Sequence, residues 1–399
     1  MAFDVARIRG LFPALGDGWI HFDGPTGMLV PEQVASAVST AMRAPVSAPG
    51  GAFPASQRAE SIVTAARRAV ADLVGTDPAG VVLGPNAAVL LQRLADAMAD
   101  GWTLGDEVVV SRLDEQANLA PWQRAAKRVG AVLRWGEIDI ETCELPAWQY
   151  ESLVNHHTKV VAVTAASGSV GTRPDVPTIV ELAKRVGAAV VVDASYAAPF
   201  VPLDLRELGA DVLVVSAQAW GGPSVGALAF RDPEMLERLL SASLELGVRG
   251  PARLELGPHP YPLLAGLVAS IDYLAGLDDA ATGSRRERLV TSLGSAKSYH
   301  AGLLAQLSTE LRSLPHIMVI GDAMRRIPAV AFTVTAKKAS EVAEYLASQG
   351  LCAFADEGTG GVFAALGVGE VGGAVRIGLA HYSNIFEVNQ LVRVLEELR

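Results

Sequence analysis

The sequence predicts an α/β protein in which a mainly parallel sheet is flanked by helices and is followed by a smaller α+β domain. Short apolar runs alternate with amphipathic helical segments after about residue 100. These runs are apolar on both faces, which is typical of parallel strands covered by helices on both sides of a sheet. The 399 residues, half of them apolar, suffice for two or three domains with a large core.

The elements of the first part follow in order along the chain. An amphipathic helix over 56–74 ends at Gly75, and a strand over 81–83 precedes a helix to Ala99 that Asn86 caps. The next predicted elements are strands at 108–111, 131–135, 160–164, 189–193 and 212–215, with helices at 118–129 and 175–186. This alternation predicts βαβ units and therefore a parallel sheet.

The pattern changes after Gly257. An apolar stretch over 263–277 contains Asp272 and is too short for a membrane span, so it predicts a buried helix. A charged helix from Ser284 to about Leu311 follows. The remaining predictions are strands at 317–320, 330–335 and 375–378, helices at 340–348 and 385–398, and a mobile glycine-rich loop at 358–373.

Composition and charge argue against several classes of function. The net charge of −10 disfavours general binding to nucleic acid or to anionic membranes. Cys143 and Cys352 are the only cysteines, too few for a disulfide framework, and they fit a reducing cytoplasm. The first residues are charged and contain no apolar export core, so we expect a cytoplasmic protein.

The most informative motif lies at 212–228. It reads Val-Leu-Val-Val-Ser-Ala-Gln-Ala-Trp-Gly-Gly-Pro-Ser-Val-Gly-Ala-Leu and resembles the strand-end signature of class V aminotransferases and cysteine desulfurases. In that family the signature is Ser-x-His-Lys, and its lysine carries pyridoxal phosphate as a Schiff base. Here Gln218 stands at the histidine position and Ala219 at the lysine position. A methyl side chain cannot form an imine, so the anchoring step has no nucleophile.

The resemblance extends over nearly the whole chain, because further family-like segments occur in the family's order. They lie at 19–27, 84–88, 105–122, 192–193 and 375–382. The resemblance implies the fold-type-I architecture of pyridoxal-phosphate enzymes, with a large domain over 21–279 and a small domain formed by 1–20 and 280–399. It also implies a homodimer, because the family builds its sites across a dimer interface.

The resemblance assigns site roles to several residues. Asp193 matches the carboxylate that faces the pyridine nitrogen, and Arg376 matches the arginine that binds the substrate carboxylate. Ser216 and the amides of Asn86 and Ala87 match phosphate donors, provided that Asn86 opens a helix. Each of these residues also has a purely structural interpretation. Asp193 could cap a turn at the strand end, Arg376 could form an ion pair, and the residues at 86, 87 and 216 could have ordinary capping roles.

The departures from the family pattern are as systematic as the matches. Glu115 replaces the histidine that stacks on the ring, although a carboxylate does not stack. Gly168 replaces the asparagine that contacts the ring hydroxyl, and Tyr196 replaces a glutamine or histidine. Pro258 replaces the threonine that reaches a phosphate from the partner subunit. We interpret these combined changes as divergence of the natural protein.

No other nucleophile or ligand set restores the family's chemistry. The lysines at 127, 184, 337 and 338 belong to helices and Lys159 precedes a strand. The loop at 356–363 lacks the cysteine that a desulfurase needs, and Cys352 has the apolar neighbours of a core residue. His156 and His157 have no third ligand nearby, so we expect no metal site.

Three functional hypotheses follow. The leading one is a class V aminotransferase-like or cysteine desulfurase-like protein that has lost Schiff-base catalysis and retains a pocket for an anionic small molecule. The others are a pyridoxal-phosphate-dependent lyase or transferase acting on an amino acid, and a non-catalytic structural or regulatory dimeric partner protein. Glu115 and Asp193 form a candidate acid/base pair. Pyridoxal phosphate is the expected cofactor; we predict that it is not bound covalently and leave non-covalent binding open.

Overall fold

The computed structural model describes residues 3–398, which form fourteen α-helices and three β-sheets. The strands are β1 (Ile20–His21), β2 (Val81–Gly84), β3 (Glu107–Ser111), β4 (Val132–Gly136), β5 (Thr158–Thr164), β6 (Ala189–Asp193), β7 (Val212–Ser216), β8 (Gly226–Phe230), β9 (Ile317–Ile320), β10 (Ala329–Val334), β11 (Leu351–Cys352), β12 (Phe354–Asp356) and β13 (Ala374–Gly378). The helices are α1 (Val5–Arg9), α2 (Glu32–Arg43), α3 (Pro54–Val74), α4 (Ala87–Ala99), α5 (Gln116–Val129), α6 (Tyr150–Leu153), α7 (Val176–Arg185), α8 (Leu205–Leu208), α9 (Met235–Arg238), α10 (Tyr261–Ala275), α11 (Arg285–Ser313), α12 (Ala339–Ser348), α13 (Gly361–Ala365) and α14 (Ile385–Glu397).

The largest sheet has seven strands in the order β2-β8-β7-β6-β5-β3-β4. The pairs from β7 to β4 are parallel, whereas β8 is antiparallel to both of its neighbours. In β6 the side chains of Val190 and Val192 join one apolar cluster, and Val191 joins another on the opposite face. The predicted mainly parallel sheet with two covered faces is therefore confirmed.

Helix ends follow the local signals of the sequence. Helix α3 ends at Gly75, whose φ of +68° is left-handed and therefore suits glycine. Asn86 caps α4 by accepting a hydrogen bond from the Val89 amide at 2.8 Å. Ser284 and Glu287 form a capping box at the start of α11. The predicted starts of α4 and α11 are confirmed.

The smaller sheet contains four antiparallel strands in the order β12-β13-β10-β9. Its apolar cluster includes residues from α11, α12 and α14, so these helices cover it. Strand β1 pairs in parallel with β11, which connects the N-terminal arm to the C-terminal part of the chain. The domain boundaries at residues 21 and 279 stay a prediction.

Four details of the sequence-based assignment need correction. The glycine-rich stretch contains helix α13, and Phe363 of this helix is buried, because glycine spacing alone does not reveal an apolar anchor. Lys159 lies inside β5 and does not precede it. Cys352 is half-buried and not a core residue. Sequence analysis did not identify β8 as a strand. Among residues 3–398, no helix is both long and apolar enough to span a bilayer.

Candidate functional site

A cavity of about 350 Å³ lies at the carboxyl ends of β6 and β7, beside the first residues of α4 and α5. This is the edge where α/β sheets place ligands, because the loops and helix N-termini that follow the strands converge there. Its lining residues are Thr26, Gly27, Asn86, Ala87, Ala88, Glu115, Ala117, Asp193, Ser195, Tyr196, Ser216, Gln218 and Ala219. The structure thus brings together every site residue proposed from the sequence except Arg376.

One wall of the cavity is suited to an anion. Ala87 and Ala88 are the first residues of α4, and the first amides of a helix have no acceptor within the helix. Ser216, the last residue of β7, adds a hydroxyl group to the same cavity. Helix α4 starts close to β8 because residue 226 is glycine: a Cβ atom there would lie 2.4 Å from the Ala87 nitrogen.

Another part of the cavity lining is acidic, because it contains two carboxyl groups. Asp193 ends β6, is 7% exposed, and accepts a hydrogen bond from the Ser195 amide at 2.9 Å. Burial raises the pKa of Asp193, and the nearby charge of Glu115 raises it further. Glu115 precedes α5 and accepts a hydrogen bond from the Ser169 hydroxyl at 2.7 Å. The candidate acid/base residues therefore share one cavity.

A third carboxyl group, Asp114, lies directly behind Glu115. It is fully buried and accepts hydrogen bonds from the Ser111 hydroxyl and, at 2.7 Å, from the Asn118 amide. Burial, followed by the charges of Asp193 and Glu115, raises the pKa of Asp114 to about 7. At neutral pH a substantial fraction of the molecules therefore carries a proton on Asp114 that an exposed aspartate would have lost.

Tyr196 occupies the space next to Gly168. A Cβ atom on Gly168 would lie 2.6 Å from Cε1 of Tyr196, so no larger residue fits at position 168 with the ring in this place. Burial raises the pKa of Tyr196 to about 12, which keeps its phenol protonated. The two departures from the family pattern, glycine for asparagine and tyrosine for glutamine or histidine, are thus in contact.

Arg376 lies on β13, outside the lining of the cavity. Its Nη1 is 3.8 Å from Oδ2 of Asp356, and its buried Nε has no hydrogen-bond partner among residues 3–398. Burial raises the pKa of Tyr196, and the positive charge of Arg376 lowers it and so partly offsets that effect. Arg376 therefore lies near the Tyr196 ring. Its role in carboxylate binding stays a prediction.

No lysine lines the cavity within the described chain. Lys159 pairs with Asp106 at 3.3 Å and Lys184 with Asp211 at 3.4 Å, whereas Lys297 lines a different cavity. Sequence analysis did not consider Lys297. For residues 3–398 no group of three or more histidine, cysteine, aspartate or glutamate side chains is arranged to hold a metal ion.

The two thiols are poorly suited to nucleophilic chemistry. Burial raises the pKa of Cys143 to about 11 and that of Cys352 to about 11, so both remain protonated at neutral pH. Neither cysteine lines the cavity.

Sequence reasoning missed Asp114 and Ser169. For Asp114 the available signal was its spacing from Ser111 and Asn118. Side chains three or four residues apart come close together at the start of a helix. Ser169 directly follows Gly168 in a segment already compared with the family, but only the fold shows that its hydroxyl reaches Glu115.

Comparison with known proteins places this geometry in a family. The family model of Aminotransferase class-V matches residues 20–391. The uncharacterized protein MT3887 of Mycobacterium tuberculosis is 53% identical over 398 residues, which cover 100% of both chains. The apo cysteine desulfurase of Thermococcus onnurineus superposes with a TM-score of 0.88 at 25% identity, covering 100% of this chain and 98% of the other. A C-DES variant with glycine covalently linked to its pyridoxal-phosphate cofactor, 19% identical with a TM-score of 0.78 and coverage of 98% and 99%, shares the fold. The chain belongs to the class V aminotransferase family.

Proposed function

We propose that this family member has lost Schiff-base catalysis and uses its cavity to bind an anionic small molecule without a covalent bond. The observation that carries the proposal is Ala219, which lines the cavity beside Gln218 and the hydroxyl of Ser216. Imine formation with an aldehyde requires a primary amine, and no lysine of the described chain lines this cavity. The family's covalent chemistry therefore has no nucleophile here.

Pyridoxal phosphate, the cofactor expected from the family, matches these residues only in part. Its phosphate suits the amides at the start of α4 and the Ser216 hydroxyl. Its ring nitrogen suits the carboxyl group of Asp193. Its aldehyde has no amine partner, and Glu115 adds a carboxylate where the family has a stacking histidine. A tethered cofactor does not fit these residues.

The charges in the cavity also restrict the ligand. The amides of Ala87 and Ala88 and the Ser216 hydroxyl favour a phosphate or carboxylate. Glu115 and Asp193, which line the same cavity, favour a hydrogen-bond donor or a cationic group on another part of the ligand. We therefore propose a ligand with an anionic group at one end and a donor group at the other, because a molecule that is anionic throughout would meet Glu115.

The test combines borohydride reduction with intact-mass measurement. We expect the wild-type protein, incubated with pyridoxal phosphate and reduced, to show no lysine-linked adduct above the level of surface labelling. We expect Ala219→Lys to gain one adduct per chain, because the phosphate and ring-nitrogen partners remain. Ala347→Lys is the matched control, since residue 347 is an exposed alanine on α12, away from the cavity.

The outcomes separate the two parts of the proposal. A lysine-linked adduct in the wild type together with turnover of an amino acid would refute the loss of catalysis and favour the lyase or transferase hypothesis. If titration calorimetry detects no binding of pyridoxal phosphate or of pyridoxamine phosphate, the proposed ligand binding is refuted and the partner-protein hypothesis gains support.

We also propose that the chain forms a homodimer in the cytoplasm. Large apolar side chains are exposed along the segment before α10, with Leu244 at 85% and Leu246 at 101% exposure, as expected for an interaction surface. Light scattering tests the dimer: the expected mass is twice 41.7 kDa, and Leu246→Asp is expected to lower it. A wild-type mass of one chain would contradict the proposal, and cell fractionation tests the location.

A further inference from the structure

We propose that a second cavity, separate from the first, binds an amphipathic carboxylate, a molecule with one carboxylate head and an apolar body. This cavity of about 330 Å³ lies between α11, residues 200–201 and residues 322–328. It shares no lining residue with the cavity at the sheet edge. Its size is at the lower end of small-molecule sites, so it suits a compact ligand better than a peptide or a folded partner.

The body of the cavity is apolar. Its apolar lining residues include Phe200 and Val201, Leu304 of α11, and Ile327 and Pro328. Two exposed alanines of α11, at 301 and 305, leave room along the helix face. Contact with an aliphatic or aromatic group would remove this apolar surface from water, which is favourable.

Two cations face this apolar space. Lys297 is exposed and forms no ion pair within residues 3–398. Arg326 donates through Nη2 to the carbonyl oxygens of Val170 and Ala329 at 3.1 and 3.2 Å, and its buried Nε has no acceptor in the same range. Neither cation is neutralised by a carboxylate at hydrogen-bond distance, so the cavity favours an anion.

Two other polar residues of the cavity, Asp322 and His300, already have partners within the protein. Asp322 accepts two hydrogen bonds from Arg312, at 2.7 and 3.2 Å. The ring nitrogens of His300 lie 2.7 Å from the Ala296 carbonyl oxygen and 2.9 Å from the Ala380 carbonyl oxygen. The available charge is therefore positive, and the remaining surface is mostly apolar.

These two properties together select the ligand class. Inorganic phosphate would pair with the cations but would leave the apolar surface in contact with water. A neutral apolar molecule would cover that surface but would leave Lys297 and Arg326 without an anion. An amine would be repelled by both. An amphipathic carboxylate satisfies both parts of the cavity, because its head pairs with the cations and its body covers the apolar surface.

Octanoate is the probe, and titration calorimetry on the full-length protein measures its binding. We expect one saturable site per chain, no detectable binding of acetate, and weaker binding of octanol. Lys297→Gln removes one exposed cation and is expected to raise the Kd about threefold, the usual magnitude for an exposed ion pair. Lys127→Gln, which changes an exposed lysine on α5, is the matched control and is expected to leave the Kd unchanged.

A second variant tests the position of the site. Ala305→Phe places a ring in the cavity from an exposed helix position and is expected to abolish octanoate binding while leaving the circular dichroism spectrum unchanged. Pyridoxamine phosphate is not expected to displace octanoate, since the two cavities share no residue. Equal binding of octanol and octanoate, absence of saturable binding, or unchanged binding in Ala305→Phe would overturn the proposal.

Discussion

Replacing Asp114 with asparagine is expected to stabilise the protein increasingly as the pH rises. Asp114 is fully buried behind the cavity, and its burial together with two neighbouring carboxyl groups raises its pKa to about 7. Asparagine has nearly the same shape. Its oxygen can accept from Asn118, and its amide can donate to the Ser111 hydroxyl, so both side-chain contacts of Asp114 retain a partner.

The sign follows from proton binding. In the unfolded chain the Asp114 carboxyl has a pKa near 3.8, whereas in the folded protein its pKa is about 7. Between these values the folded state binds a proton that the unfolded state has released, so the contribution of Asp114 to stability falls as the pH rises and levels off above the folded pKa. The difference of about three pKa units corresponds to about 4 kcal/mol, more than half of which is lost between about pH 5 and about pH 8.

Urea denaturation of the wild type and Asp114→Asn at several pH values measures this directly. The free energy of unfolding of the variant minus that of the wild type is expected to increase by about 2–3 kcal/mol from about pH 5 to about pH 8. Asp106→Asn is the control, because hydrogen bonds from Thr103 and the Lys159 charge outweigh burial and lower the pKa of Asp106 below its ordinary value of 3.8. This carboxyl is therefore ionised in both the folded and the unfolded state from about pH 5 to about pH 8, and the difference between Asp106→Asn and the wild type is expected to stay constant over that range. A pH-independent difference for Asp114→Asn would refute the reasoning.

Two further substitutions test packing and a buried ion pair. Gly168→Ala is expected to cost about 1–3 kcal/mol because its Cβ would lie 2.6 Å from the Tyr196 ring, and Tyr196→Ala should relieve most of that cost in thermal melts of the double variant. Arg67→Ala is expected to cost about 3 kcal/mol in urea denaturation, because it removes the 2.8 Å partner of buried Glu255. Arg128→Ala, which breaks an exposed pair, should cost less than about 1 kcal/mol; equal losses for the two arginines would contradict this view.

The fold was largely predictable because most strands of the large sheet are β-branched and apolar. Runs such as those in β3, β6 and β7 are recognisable without neighbours, since each is buried on both faces. Strand β8 was not recognised, because its sequence Gly-Ala-Leu-Ala-Phe contains no β-branched residue. It is a strand because it pairs with β7 and β2, antiparallel to both.

The site was predictable in position but not in its contacts. Strand ends and a helix cap place Asp193, Ser216 and Asn86 at one edge of the sheet, and the fold brings them to one cavity. The hydrogen bond between Glu115 and Ser169 joins residues 54 positions apart, and no local pattern encodes such an approach. Arg376 was predicted within the site but lies outside the cavity lining, near Asp356, because the course of β13 depends on the packing of the smaller sheet.

The departures around the cavity are physically connected, and this limits what a single reversion can restore. The Tyr196 ring lies against Gly168, so an asparagine at position 168 has no room until residue 196 becomes smaller. The Ser169 hydroxyl, in the same loop as Gly168, donates a hydrogen bond to the Glu115 carboxylate. This carboxylate therefore keeps its position as long as the loop keeps its conformation. Substitutions in direct contact are not additive. Ala219→Lys is therefore expected to supply an amine without restoring turnover of an amino acid, since Glu115 and the contact between Tyr196 and Gly168 remain.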